Sequence, residues 1–202
     1  MPRPFSDAVI TTAGAALLLK VETGTAAMEV TKIVVGDGVY STAERTPANL
    51  RSRTSLKSQR NVYAASSVQT VSSSAIKITA LISNYDPVHE EALVTSSYFI
   101  NEIAVYCKEE GGPSSTEILY CIAITTGDTG DYMPAYAGGG AAQITQDIYL
   151  TVGSAATTYV NTAGAAFLAS EGQDLKTRVA DMEECGFSVV DGVLNVTYTP
   201  EE

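Results

Sequence analysis

Two apolar runs constrain this chain most. They are Tyr98-Phe99-Ile100-Asn101-Glu102-Ile103-Ala104-Val105-Tyr106-Cys107 and Glu117-Ile118-Leu119-Tyr120-Cys121-Ile122-Ala123-Ile124, separated by a polar segment containing Gly111-Gly112-Pro113. β-Branched and aromatic residues in such density favour strands, and a short polar connection favours antiparallel pairing. The pair is therefore predicted to form the centre of a sheet.

Further strands group around it. Met28 to Val35 is β-rich and ends at Gly36-Asp37-Gly38, a strand running into a tight loop. Within residues 61–84, Ala75, Lys77 and Thr79 alternate with Ile76, Ile78 and Ala80, which predicts an antiparallel hairpin or meander with one wet face. The loop 125–140 is rich in glycine, with Tyr132, Met133 and Tyr136 apolar enough to pin it to the sheet, and a last long strand is expected from Ala142 to Val152.

Helices are fewer. Ala13, Ala15, Ala16 and Leu17 to Leu19 predict one N-terminal helix, with Thr11 or Thr12 as N-cap and Gly24 just past its end. Residues 159–184 also read as helical. Leu168, Leu175 and Met182 recur every seven residues, and with Val179 they outline a seam that either joins copies of the chain or packs within one copy. Residues 187–198 read as a hairpin turning at Asp191-Gly192. The fold class is thus α+β: a mainly antiparallel β-sheet domain with an N-terminal helix over residues 1–156, then a short C-terminal helix and β-hairpin over 157–202, a possible oligomerisation element.

Charge narrows the partners. Twelve Lys and Arg stand against 23 Asp and Glu in 202 residues, a net charge of −11, which argues against nucleic acid or an anionic membrane. The opening residues hold no basic and apolar leader pattern, and neither a signal peptide nor membrane insertion is expected. Five of the bases, Arg45, Arg51, Arg53, Lys57 and Arg60, fall within one polar segment, which is either a solvated loop with a helical turn after Pro47 or an edge that docks on an acidic partner.

Catalytic and metal patterns are weak. The single His89 lies beside Asp86, Glu90 and Glu91 in a Pro-containing loop without a second His or spaced Cys, so neither a metal site nor a base is assigned. Gly127-Asp128-Thr129-Gly130-Asp131 lacks the ligand spacing of a calcium loop, and Gly36-Asp37-Gly38 lacks that of a phosphate loop. Cys107, Cys121 and Cys185 are an odd three at spacings that suit neither a disulfide framework nor a CxxC pair, which points to folding in a reducing cytoplasm. No catalytic residue, cofactor or metal is predicted, and the chain reads as a non-enzyme.

The order of motifs carries a resemblance. Val9-Ile10-Thr11-Thr12-Ala13-Gly14, Val30 to Gly38, Tyr98 to Tyr106, Ile118-Leu119-Tyr120 and Asp131-Tyr132-Met133-Pro134-Ala135 follow one another as in the phage tail-collar fibre family, which the chain resembles over roughly residues 6–155. The ending Gly186-Phe187-Ser188-Val189-Val190-Asp191-Gly192-Val193-Leu194-Asn195-Val196-Thr197-Tyr198-Thr199 resembles that of small tail proteins from prophages of Gram-positive bacteria. The resemblance implies a virion tail protein made in the bacterial cytoplasm, attached at the baseplate, whose partners are baseplate or tail-fibre proteins and which assembles as a homotrimer. The N-terminal helix and first strand would form the attachment face. Arg45, Arg51, Arg53, Tyr132 and Tyr136 are the expected partner-binding surface, and Leu168, Leu175, Val179 and Met182 the expected oligomer seam. The rival expectation is a carbohydrate-binding adhesin that uses Tyr132 and Tyr136 as a sugar platform.

Overall fold

A computed structural model describes residues 5–72, 75–151, 158–160, 187–190 and 193–196. The chain divides into two units, Met1–Ala166 and Phe167–Glu202, and most of the described structure is antiparallel sheet.

In the first unit the main sheet is organised around β2 (Met28–Gly36). On one side it pairs with β9 (Glu102–Glu109), which pairs in turn with β10 (Ile118–Ile124), and β10 with the short β1 (Val9–Ile10). On its other side β2 pairs with β3 (Gln59–Tyr63) near its C-terminal end and, in parallel, with β13 (Thr158–Val160) near its N-terminal end. The two apolar runs that dominate the sequence thus pair as antiparallel neighbours, Ile103 opposite Ala123.

A second sheet places β5 (Ala75–Ser83) between β4 (Ser67–Ser72) and β12 (Gln143–Thr151). Two small ribbons complete the layer, β6 (Tyr85–Asp86) with β7 (Glu91–Ala92) and β8 (Tyr98–Ile100) with β11 (Asp131–Met133).

Both faces of the main sheet are covered, which alternation along the strands makes possible. From β2, Ile33 and Val35 enter one core together with Ile76, Ile78, Ala80 and Ile82 of β5 and Leu17 and Val21 of the first helix. Val34 points the other way, into a second core with Ala104, Leu119, Ile122, Tyr40, Leu50 and Leu56. The polar segment around residues 41–60 is therefore held to the sheet: Leu50 and Leu56 are buried, each contributing about 1.5–3 kcal/mol. Its helical turn is α2 (Pro47–Arg51), with Thr46 capping through Asn49 N.

Helix α1 (Thr12–Glu22) is started by a sheet contact. Thr11 donates its backbone N–H to Tyr120 O at 2.9 Å and its hydroxyl to Leu119 O, while the same hydroxyl oxygen accepts from Gly14 N. Gly24, with φ +70°, turns the chain out of the helix in the left-handed region that glycine adopts without cost.

Two expectations are corrected. The run Tyr98 to Cys107 is two strands that meet at Asn101, because β8 pairs with β11 while β9 pairs with β2 and β10; the Asn101 N–H donates to Gly36 O at the end of β2 and its carbonyl accepts from Thr125 N just past β10. The anticipated wet face of β5 is largely dry, since every residue from Ile78 to Ser83 is buried; the strand is central, and Thr79 gives its hydroxyl to Asp147 of β12 at 2.6 Å.

Toward the C-terminus, Thr158–Val160 is the strand β13, where the sequence pattern starts a helix at 159. The remainder of that helix and the seam residues Leu168, Leu175, Val179 and Met182 lie outside the described residues. In the second unit, β14 (Phe187–Val190) pairs antiparallel with β15 (Val193–Val196).

Candidate functional site

The densest polar arrangement forms where the Gly36-Asp37-Gly38 turn, the Asn101-Glu102 step and the loop after β10 meet. Glu102 has no solvent exposure. A buried carboxylate is tolerated only when its oxygens are satisfied. Here Oε2 accepts from the Tyr40 hydroxyl and from Lys57 N at 2.9 Å, and Oε1 from Ser58 N at 2.7 Å and Gly38 N at 3.2 Å. Burial and the adjoining Glu102 charge push the Tyr40 hydroxyl far above its ordinary pKa, so it stays a donor.

Asn101 extends the node. Its side-chain nitrogen donates to Asp37 O at 3.1 Å and its side-chain oxygen accepts from Gly130 N at 2.9 Å. Gly130 must be glycine: a Cβ there would stand 1.8 Å from Ile100 O. Gly36 and Gly38 are equally constrained, with Glu102 Oε1 2.5 Å from either Cβ position. Sequence reasoning missed this pair of residues, although a Glu and an Asn inside an apolar run were the visible signal.

The basic segment is mostly spent on the protein itself. Arg45 donates through Nε to Tyr40 O at 2.9 Å, through Nη1 to Thr125 O at 2.9 Å and through Nη2 to Gly127 O at 3.0 Å. Arg53 lies 4.9 Å from the centroid of the Tyr40 ring and 3.8 Å from Glu44, and Lys57 reaches Glu44 at 2.8 Å. Arg60 Nε donates to Asp37 Oδ2 at 2.7 Å. Burial would raise the Asp37 carboxyl, but the Arg60 hydrogen bond and charge outweigh it and hold the pKa below its ordinary value. Arg51 is exposed, and among the described residues its guanidinium has no ion-pair partner.

Tyr132 and Tyr136 are separated in role. Tyr136 stacks on Tyr85 with ring centroids 4.3 Å apart, and Tyr136 N donates to Val94 O, while Met133 is fully buried; these two pin the loop. Tyr132 is 55% exposed and faces Phe99, itself 42% exposed, at 5.3 Å on the β8–β11 ribbon. The structure thus mounts an outward aromatic pair that includes one of the two expected tyrosines.

Other weighed groups form local structure. His89 Nδ1 lies 2.7 Å from Asp86 Oδ2, and the Asp86 hydrogen bond and charge raise its pKa. Asp86 also accepts from Val88 N, closing the turn in front of β7. Cys107 and Cys121 are buried in the first core, where burial pushes the Cys121 thiol up to about 12 and Cys107 well up from its usual range. Among the described residues, no cluster of three or more His, Cys, Asp or Glu is placed to hold a metal, and no helix is long and apolar enough to cross a membrane.

Compared with protein-family models, with curated proteins and with solved structures, the chain gives no match.

Proposed function

We propose that this protein is a structural component of a phage or prophage tail, a baseplate-attached fibre or a fibre adaptor that acts by docking onto other proteins. The observation that supports it best is where the motifs of the tail-collar resemblance lie. Gly36-Asp37-Gly38, Asn101-Glu102 and the segment around Asp131-Tyr132-Met133 are distant in sequence, yet all join or adjoin the Glu102–Asn101 node. A node of this kind fixes loops and strand ends in one geometry, which is what a docking part must supply. On this reading the C-terminal helix carries the seam of Leu168, Leu175, Val179 and Met182 and holds three copies together, residues 1–156 form the attachment domain, and the working location is the virion tail.

A second reading is favoured by one observation. The outward Phe99–Tyr132 pair resembles in chemistry the aromatic platforms on which sugars stack. A glycan array with the full chain and with Tyr132→Ala separates the two. Silence on the array, with capture of a baseplate or fibre protein from dissociated particles, is the result the docking reading expects. A glycan signal abolished by Tyr132→Ala, without such capture, would make the protein an adhesin instead.

A further inference from the structure

Phe99 of β8 and Tyr132 of β11 stand directly opposite each other, and both side chains are turned to solvent. Their neighbours along the two strands, Tyr98, Ile100 and Met133, are buried, as alternation between faces requires. An aromatic cross-strand pair stabilises a ribbon by about 0.2–1 kcal/mol, but this ribbon is held by other means. Met133 fills the core, Gly130 N donates to Asn101 Oδ1 at 2.9 Å before β11, and Ala135 N donates to Ser97 Oγ at 2.8 Å after it. The ring geometry also differs from that of a pair packed for its own sake. Tyr85 and Tyr136 lie 21° from parallel and cover each other's faces, whereas Phe99 and Tyr132 are tilted by 56° with centroids 5.3 Å apart, and aromatic face stays open to solvent.

Charge says what kind of ligand these rings suit. From Ile78 to Thr151, Lys108 is the only Lys or Arg, against ten Asp and Glu, and Lys108 is already matched to Glu29. Asp131, next to Tyr132 in β11, and Asp128, in the loop before it, have no ion-pair partner among the described residues. Arg60 reaches the ribbon at Tyr98, 5.8 Å from that ring's centroid, and is neutralised by Asp37. The open face of an aromatic ring is itself electrically negative. A neutral ligand would use the rings alone, while a cation draws on the rings and on the two uncompensated carboxylates, whose field reaches about 8–10 Å at ordinary ionic strength. Among cations the guanidinium fits best, because it is planar, stacks on aromatic faces and keeps its N–H groups at the rim for carboxylates.

We propose that the Phe99–Tyr132 pair is the docking point for an arginine side chain on an exposed segment of a partner protein, with the guanidinium lying on the ring faces and attracted by Asp128 and Asp131. Aromatic and arginine side chains are the residue types that carry most of the binding energy at protein interfaces, so a small exposed pair can anchor a larger contact. A second copy of this chain, with its net charge of −11, would meet repulsion that a basic segment does not. The proposal rests on the docking reading for the nature of the partner, while the site itself is set by the ribbon and the charges around it.

The test is an NMR titration of the full chain at low salt with the blocked peptide Gly-Ser-Arg-Ser-Gly and with the same peptide carrying citrulline, which keeps the shape of arginine without its charge. Ring and amide shifts should concentrate at Phe99 and Tyr132, and the arginine peptide should bind about fivefold more tightly than the citrulline one. Tyr132→Leu keeps an apolar side chain without an aromatic face and should bring the arginine peptide down to the citrulline level. Asp128→Asn combined with Asp131→Asn should weaken it about threefold, with the β9 and β10 amides unmoved in either variant. Equal binding of both peptides, no response, or shifts centred on Glu90 and Glu91 would overturn the proposal. So would ring shifts with cellotetraose and none with the arginine peptide, which would make a sugar the ligand. Capture of a baseplate or fibre protein that survives Tyr132→Leu would also overturn it while leaving docking in place; loss of all capture with the peptide response intact would remove the tail reading and keep the site.

Discussion

The Tyr40 hydroxyl donates to the carboxylate of Glu102, a side chain wholly removed from solvent. This one bond joins the segment that roofs the second core to the strand at the middle of the main sheet, and three backbone N–H groups converge on the same carboxylate. Glu102→Gln replaces an acceptor with a donor facing N–H groups, and is expected to cost about 2–4 kcal/mol. Tyr40→Phe leaves three donors in place and should cost less, about 1–2 kcal/mol. Urea denaturation of both variants checks the order; equal costs would mean that the backbone donors contribute little.

Glycine 14 offers a case in which two effects oppose. Gly14 lies in the first turn of α1, and replacing a glycine inside a helix by alanine normally stabilises, by up to about 0.5–1 kcal/mol. At Gly14 the new Cβ would stand 2.2 Å from Tyr120 O, a backbone atom that cannot swing aside. Strain of about 1–3 kcal/mol should dominate, so Gly14→Ala is expected to lower the denaturation midpoint and to raise hydrogen exchange at Thr11 and Tyr120.

Arg45 clamps the loop that follows β10 through the carbonyls of Thr125 and Gly127. A lysine cannot reproduce a planar fork with several fixed donors. Arg45→Lys should therefore behave much like Arg45→Ala, with faster proteolysis between Thr125 and Gly130 in both. Wild-type protection in Arg45→Lys would show that charge, not geometry, holds the loop.

Acid should weaken the same region. The Lys57 hydrogen bond and the Ser41 donors hold the Glu44 carboxyl at about 2, against its ordinary 4.5, and Asp37 is also depressed. A depressed folded pKa stabilises the fold above the unfolded value, and the gain is lost as pH falls through the folded one. Stability is expected to decline from about pH 4.5 to about pH 2, and the combined variant Glu44→Gln, Asp37→Asn should flatten that decline in denaturation midpoints measured across the range.

Much of the sheet could be read in the sequence because it rests on runs of β-branched residues: the pairing of β9 with β10, the strand ending at Gly36-Asp37-Gly38 and the turn after Pro47 follow from local composition. Where tertiary contacts decide, local pattern was insufficient. The run from Tyr98 to Cys107 changes partners at Asn101, with β8 on β11 before it and β9 on β2 and β10 after it, and none of those pairings is near in sequence to Asn101. Leu50 and Leu56 stand singly in a polar segment, so no periodicity announces the core they close. The arginines that looked like a docking edge carry no sequence mark of the carbonyls and carboxylates they meet, and the Tyr132–Phe99 contact depends on a pairing between β8 and β11 that lies across 33 residues of chain.

The central claim, that the protein is a docking part of a tail, is tested most directly on particles. Particles released from cells that produce the protein are purified by density gradient and labelled with gold-tagged antibody against residues 5–151. The account predicts label at the baseplate end of the tail and the chain recovered from particles in a multiple of three copies. Label absent from intact particles, with the chain confined to the soluble extract, would contradict it.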